Sequence, residues 1–366
     1  MVKYLGSKRL LVPEIVRAVD GALGGRPGVV LDLFSGTSRV GHALKRAGHR
    51  VLANDHNAYA RTLASCYVAA DREEVLADAT LLVDEFNALA RESCEPGWFT
   101  ATYCERSRYF HPRNGARIEA VREAIARKGL SPELQAVLLV SLMEAADRVD
   151  STTGVQMAYL KSWAPRALND LELRVPDLLP RAPAGKGEAH GLEALEAAAG
   201  LEAEVAYIDP PYNQHSYLGN YHVWETLVLW DRPEVYGVAC KRVDCRRRKS
   251  AFNTRAGCRE SVRRLIELVR ARTLIVSFND EGYIARDEME AMLAPRGTVR
   301  VIEIDFKRYI GAQIGIYNPK GEKVGTVGRL RNREYLFVVG EREPTAPADL
   351  AEAKPVTIPE ATSVSD

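Results

Sequence analysis

The residues best suited to chemistry stand together at Tyr207-Ile208-Asp209-Pro210-Pro211-Tyr212. The apolar run Val205-Ala206-Tyr207-Ile208 reads as a buried strand. It ends in a carboxylate, two prolines and an aromatic ring. Proline has no backbone N–H and fixes its own φ, so Pro210-Pro211 makes a stiff, extended corner. Such a corner holds one carboxylate, several free carbonyls and a flat aromatic face in a fixed arrangement. Acceptors beside a stacking surface suit a planar ligand that carries N–H donors, and an adenine amino group is such a ligand.

A second constellation lies upstream, in Gly28-Val29-Val30-Leu31-Asp32-Leu33-Phe34-Ser35-Gly36-Thr37. The apolar residues predict a buried strand, and Phe34 to Thr37 a tight turn. A helix from Ser38 follows, carrying Val40, Ala43, Leu44 and Ala47, and Gly48 stops it. Val51-Leu52-Ala53 then predicts a second strand that ends in Asn54-Asp55. This is a βαβ unit with a glycine turn after its first strand and an acid after its second. In doubly wound folds such an acid commonly takes the two hydroxyls of a ribose. The turn lacks the G-x-G-x-x-G spacing of dinucleotide sites, so a nucleoside without a pyrophosphate fits better than NAD. Asp32 orienting the loop and Asp55 capping the next helix is the purely structural alternative. The chain opens on Lys3-Tyr4-Leu5-Gly6-Ser7-Lys8-Arg9, before a helix with Leu11, Ile15, Val16 and Val19 on one face. Gly6-Ser7 is placed to cap that helix, and Lys8 to lie in its first turn.

The elements that must position these residues divide the chain. Residues 57–179 show helical periodicity around 57–69, 72–91, 115–128 and 132–149, with little strand signal. Aromatic and basic residues mix there: Trp98, Phe99, Tyr103, Arg106, Arg108, Tyr109, Phe110, His111 and Arg113, then Tyr159, Lys161, Trp163 and Arg166. Such a mix suits bases and phosphates, or a small helical core with arginine at its rim. A Pro-, Gly- and Ala-rich link over 180–204 returns the chain to the strand before Asp209. Beyond the corner, a helix from Tyr221 to Leu229, an exposed basic loop over Lys241–Lys249 and an amphipathic helix over Arg259–Arg272 are expected. Strands at Leu274–Phe278, Val299–Phe306 and Tyr335–Val339 follow, with a helix over Asp287–Leu293 and an exposed basic hairpin or loop over 307–334. The domains read as 1–56 with 186–340, and a helical insertion over 57–185. The stretch 341–366 has no hydrophobic period and reads as a disordered tail.

The chain has 366 residues, 46% of them hydrophobic and 27% charged, which is enough to bury a large core. Its net charge of +1 hides an uneven distribution. Residues 241–272 carry twelve Lys/Arg against three acids, and 306–333 seven against one, as a surface for phosphates would. No apolar run approaches a membrane span and no leader precedes the first motif, so a cytoplasmic protein is expected. The six cysteines form no even framework. Cys240, Cys245 and Cys258 lack the spacing of zinc ligands, so no metal is expected. No P-loop is present.

The three anchors Lys3-Tyr4-Leu5-Gly6-Ser7-Lys8, Asp32-Leu33-Phe34-Ser35-Gly36-Thr37 and Asp209-Pro210-Pro211-Tyr212, in that order, resemble the D12 class of site-specific DNA adenine-N6 methyltransferases. This is the group of Dam-like and FokI-type enzymes, and the resemblance spans most of 1–340. It implies an α/β fold: a Rossmann-like S-adenosylmethionine-dependent methyltransferase sheet with a mainly helical target-recognition insertion. By the same resemblance Tyr4, Lys8, Asp32, Phe34, Gly36, Asp55 and Asp209 contact S-adenosyl-L-methionine, and Asp209, Pro210, Pro211 and Tyr212 form the catalytic corner. It implies double-stranded DNA as substrate, a flipped target base, and room for a cognate restriction endonuclease acting on the same site. Oligomeric state is not set by the sequence. Two departures stand out. Gly6-Ser7 replaces a double glycine, and where the family often has an acid before the helix leading to the catalytic strand, the nearest residue is His190. An RNA adenine-N6 methyltransferase and a non-catalytic DNA-binding regulator are the alternatives. A cytosine-N4 enzyme would more often show serine in place of Asp209.

Overall fold

The computed structural model describes residues 1–307, 316–317, 323–325, 331–340 and 356–357. The main sheet, numbered in chain order, has β1 (Val29–Asp32), β2 (Arg50–Asn54), β3 (Glu188–His190), β4 (Glu202–Ile208), β5 (Arg270–Asn279), β6 (Thr298–Lys307), β7 (Arg331–Gly340) and β8 (Val356–Thr357). Their spatial order is β3-β2-β1-β4-β5-β7-β6-β8. The strands from β3 to β5 are parallel, and β7 runs antiparallel to both β5 and β6. From β1 the chain first builds outward through β2 to β3, then returns to lay β4 on the other side of β1. That reversal opens a crevice at the carboxyl ends of β1 and β4. The register places Asp32 beside Tyr207, and Asn54 beside His190, at this same end.

Both faces of the sheet are covered, which explains the continuous apolar runs of its inner strands. Val30, Val51, Val205, Tyr207 and Ile275 face α1 (Val12–Ala22) and α2 (Arg39–Arg46). Their neighbours Leu31, Leu52, Ala206, Ile208, Leu274 and Val276 face the opposite helical layer. A third core lies beside the sheet. It joins α3 (Ala58–Ala64, widening into a π turn over Ser65–Ala69), α4 (Arg72–Arg91), α5 (Pro112–Arg127) and α6 (Pro132–Arg148). The layer on the second face of the sheet is made by α7 (Ala194–Gly200), α9 (Arg255–Leu268) and α10 (Arg286–Leu293). Between α7 and α9, α8 (His222–Leu229) sends Val223, Trp224 and Leu227 into the third core, together with Val2 and Cys240. The helical body is therefore closed by both flanks of residues 57–185, and these tie it to the catalytic corner.

Several expectations are corrected. The first helix starts at Val12, with Pro13 in its first turn where a missing N–H costs nothing. Gly6-Ser7 does not cap it, and Lys8 lies in a preceding turn whose carbonyl receives the amides of Leu11 and Val12. The helix expected over Arg259–Arg272 ends at Leu268. Arg270 and Ala271 already pair with Glu202 and Ala203, beyond the apolar part of the sheet, where side-chain alternation gives no signal. The last two long strands extend to Thr298–Lys307 and Arg331–Gly340, with a short pair at Ile316–Tyr317 and Lys323–Gly325 between them. The rest of the expected basic hairpin, and the tail apart from Val356–Thr357, lie outside the described residues. Among the described residues no helix is long and apolar enough to cross a membrane.

Candidate active site

The crevice at the carboxyl ends of β1 and β4 is a pocket enclosing about 980 Å³ including space open to solvent. Tyr4, Lys8, Asp32, Phe34, Gly36, Asp55 and Asp209 all line it, although they are spread over more than two hundred positions of the chain. Pro211 lines it too. Pro210 and Tyr212 stand outside its lining.

The turn after β1 is built for close approach. Gly36 has φ +49°, and a side chain there would meet the Tyr4 ring at 3.5 Å. Tyr4 is itself stacked between Tyr217 and Tyr221, at centroid distances of 5.3 and 4.5 Å, with its hydroxyl 3.2 Å from that of Tyr59. The N-terminal stretch thus closes one wall of the pocket through an aromatic stack. Asp55 accepts the Gly36 amide at 3.2 Å with one oxygen and the Asn57 amide at 2.9 Å with the other. It therefore holds the glycine turn and the residue that precedes α3 rather than capping that helix, and it lines the pocket. Asp32 lies deeper. Burial and the nearby Asp209 push its carboxyl up to about 7, against the opposing pull of the Gly41 amide. The buried oxygens of Ser35 and the Asn57 side chain face this region with no hydrogen-bond partner among the described residues.

Asp209 sits at the centre of a buried charge cluster. Lys8 Nζ lies 3.0 Å from its Oδ1 and also pairs with Glu334 of β7. Glu334 is 2% exposed and accepts the Ser277 hydroxyl at 2.7 Å. Burial raises the Asp209 carboxyl to about 6; Lys8 pulls it down and Glu334 pushes it up. Burial opposes the Lys8 charge, but Asp209 and Glu334 outweigh that and hold its ammonium well above the usual lysine range. The corner is pinned from outside by the Tyr283 amide, which donates to the Tyr212 carbonyl at 3.1 Å. Tyr212 presents its ring edge-on to Phe278, 5.6 Å away, and Lys8 Nζ lies 5.8 Å from its centroid. His215 is exposed; Asn253, which lines the pocket, binds the carbonyls of Asn213 and His215 and so holds the loop after the corner.

Three residues of the site escaped sequence reasoning. Glu334 is distant in sequence and falls at the end of the stretch expected to be an exposed hairpin or loop, whereas the strand already begins at Arg331. Glu193 lines the pocket at the start of α7, where Asn54 clamps the Leu192 backbone through both its amide and its carbonyl. It is an acid that lines the pocket three positions after His190, whose own ring pairs with Glu188 at 3.1 Å. Its position before a short helix was the available signal. Arg248, from the stretch expected to be an exposed loop, also lines the pocket. It donates to the buried Glu225 at 2.8 Å and to the His56 carbonyl at 3.2 Å. Glu225 in turn accepts the Tyr59 amide at the start of α3. Arg242 in the same stretch is buried between Asp231 and Asp244. The stretch is therefore partly a structural clasp, because Glu225 within α8 and Asp231 just after it draw two of its arginines inward.

The aromatic residues of the insertion divide in the same way. Phe99, Tyr103, Tyr109 and Phe110 are core residues. Trp163 stays half-exposed, with the Arg108 guanidinium 4.3 Å above its ring. Among the described residues none of the six cysteines is bonded to another, and no group of three or more His, Cys, Asp or Glu side chains is placed to hold a metal ion.

The strand order, the crevice and the acceptor corner together define a Rossmann-like α/β methyltransferase fold. The chain belongs to the D12 class N6 adenine-specific DNA methyltransferase family, whose sequence profile matches residues 4–292. It is similar to the type II methyltransferase M.FokI of Planomicrobium okeanokoites, at 30% identity over 334 residues, covering 84% of this chain and 50% of that protein. It is similar also to M.CviAII of Paramecium bursaria Chlorella virus 1, at 27% identity over 92% of this chain and 98% of the relative. A third relative is M.NlaIII of Neisseria lactamica, at 27% identity over 84% and 92%. The chain spans about half the length of M.FokI and of the modification methylase StsI.

Proposed function

We propose that this chain transfers a methyl group from S-adenosylmethionine to N6 of a flipped adenine in duplex DNA, as the sequence-specific modification enzyme of a restriction–modification system. The observation that carries the reading is the Asp209 corner, held by Lys8 over a pocket that also gathers Asp32, Gly36 and Asp55. The names of the relatives, all type II or modification methylases, support the substrate class. Its DNA substrate would place the protein in the cytoplasm.

The donor set of the pocket suits S-adenosylmethionine. Asp55 and Asn57 offer oxygens to ribose hydroxyls, Glu193 an acceptor to an adenine amine, and Phe34, edge-on to Phe252 at 5.4 Å, an apolar wall. The orphaned oxygens of Ser35 and Asn57 fit a polar ligand with donors of its own. When bound, S-adenosylmethionine supplies an electrophilic methyl on a sulfonium.

The chain's own residues prepare the acceptor. The adenine N6 lone pair is delocalised into the ring and is a weak nucleophile. Asp209 and the Pro210 carbonyl would accept its two N–H bonds, favouring a tetrahedral nitrogen whose lone pair is free to attack. The negative charge of Asp209 then stabilises the positive charge that develops on nitrogen. Lys8 keeps Asp209 ionised near neutral pH, and Glu334 keeps Lys8 from neutralising the carboxylate fully. Tyr212 would stack on the base, worth roughly 1–3 kcal/mol. An adenine inside a duplex cannot reach this corner, so the base must leave the stack. The helical insertion and the basic residues beside α8 would read and hold the DNA.

The test is transfer of labelled methyl from S-adenosylmethionine to duplex DNA, to structured RNA, and with no acceptor. Incorporation into duplex DNA alone, lost in Asp209→Ala with DNA binding retained, is expected. Transfer to RNA alone, or turnover surviving in Asp209→Ala, would overturn the reading.

A further inference from the structure

The segment between α8 and α9 displays one apolar side chain in a way the proposed reaction has not yet used. Val235–Tyr236 pairs antiparallel with Lys241–Arg242, and a four-residue turn, Gly237-Val238-Ala239-Cys240, joins them. Cys240 N donates to the Gly237 carbonyl at 3.1 Å, and both residues adopt positive φ. At 78% exposure Val238 is the most exposed large hydrophobic side chain among the described residues.

The turn is anchored on every other side. Cys240 is buried in the helical core. Arg242 is clamped by Asp231 and Asp244, and Arg246 covers the Tyr236 ring at 3.7 Å. The Tyr109 hydroxyl lies between the carbonyls of Ala239 and Gln156, at 2.9 and 2.7 Å. Gln156 N donates to the Asn220 carbonyl at 2.7 Å, in the short helix whose Tyr217 and Leu218 line the pocket. The return arm also leads straight to Arg248 in the pocket wall. A rigid path therefore joins the tip of the turn to the site where the base must arrive. Around it Lys241, Arg246, Arg247 and Lys249 make no ion pair among the described residues, a charge pattern that matches phosphates. A stiff, single-sided aliphatic tip in a basic setting is what a wedge between base steps requires.

We propose that Val238 inserts into the DNA stack and occupies the space vacated by the target adenine. The inference rests on the reading of the chain as a DNA methyltransferase. An aliphatic side chain there would remove the water-filled gap a flipped base leaves and slow its return to the stack.

The experiment measures single-turnover methylation by the full chain of a duplex bearing the site it methylates in plasmid DNA. A second duplex carries an abasic position opposite the target adenine, so that the base is already unpaired. Val238→Ala should slow methylation of the paired duplex by about tenfold, and methylate the abasic duplex within about twofold of the unsubstituted chain. Its cofactor affinity and thermal midpoint should not move, because the side chain is exposed. Equal rates on the paired duplex, or an equal loss on both duplexes, would overturn the wedge. An unsubstituted chain that methylates neither plasmid nor duplex would overturn the underlying reading instead.

Discussion

Lys8 and Glu334 bias the Asp209 carboxyl in opposite directions, so removing each should move the acid limb of the pH–rate profile in opposite directions. The active form is the carboxylate, whose negative charge stabilises the positive charge developing on N6, so activity should rise with pH through the Asp209 value of about 6. Lys8→Met removes a positive charge 3.0 Å away. At that distance an effective dielectric of about 20 gives roughly 5.5 kcal/mol, and water about 1.4 kcal/mol. At about 1.36 kcal/mol per pH unit, the limb should move up by about one to four units. Glu334→Gln removes a negative charge and should move it below that of the unsubstituted chain. The double substitution should fall between the two. The assay is kcat against pH at saturating cofactor and DNA. Measurements belong well below the melting temperature, because Lys8→Met leaves two acids buried without their cation, a cost of about 3–5 kcal/mol. Limbs that shift the same way, or not at all, would refute the assignment of Asp209 as the titrating acceptor.

Other consequences can be checked directly. Asp55→Ala should weaken cofactor binding by about tenfold or more in calorimetry, since it both offers acceptors and holds the Gly36 amide, while DNA affinity stays the same. Arg248→Ala leaves buried Glu225 without its cation and should weaken the cofactor pocket and lower the unfolding free energy by about 3 kcal/mol; a stable variant with normal cofactor affinity would refute that. Phe99→Ala should cost about 3–5 kcal/mol in denaturant unfolding without changing the DNA affinity of the folded fraction, as a core residue requires. Loss of DNA affinity at unchanged stability would restore Phe99 to the interface.

What could be read from sequence was local. The strand, turn and acid around Asp32, and the strand and prolines around Asp209, announce themselves within a few residues. The helices over 72–91 and 132–149 follow from an unbroken apolar period. The partners of those residues are long-range and leave no local pattern. Glu334 meets Lys8 across 326 positions because β7 inserts antiparallel beside β5. Arg248 and Arg242 looked like free surface charge because the acids that bury them, Glu225 and Asp231, sit in or just after a helix whose packing the sequence does not specify. Phe99, Tyr103, Tyr109 and Phe110 mixed with arginine looked like a nucleic-acid surface. Their burial depends on α8 arriving from beyond the catalytic corner to complete the core.

The most direct test of the central claim is to map methylated adenines in DNA from cells that express this chain, beside cells that express Asp209→Ala. N6-methyladenine confined to one short sequence, present with the unsubstituted chain and absent with the variant, is the expected result. Unmethylated DNA in both, or the same pattern in both, would contradict it.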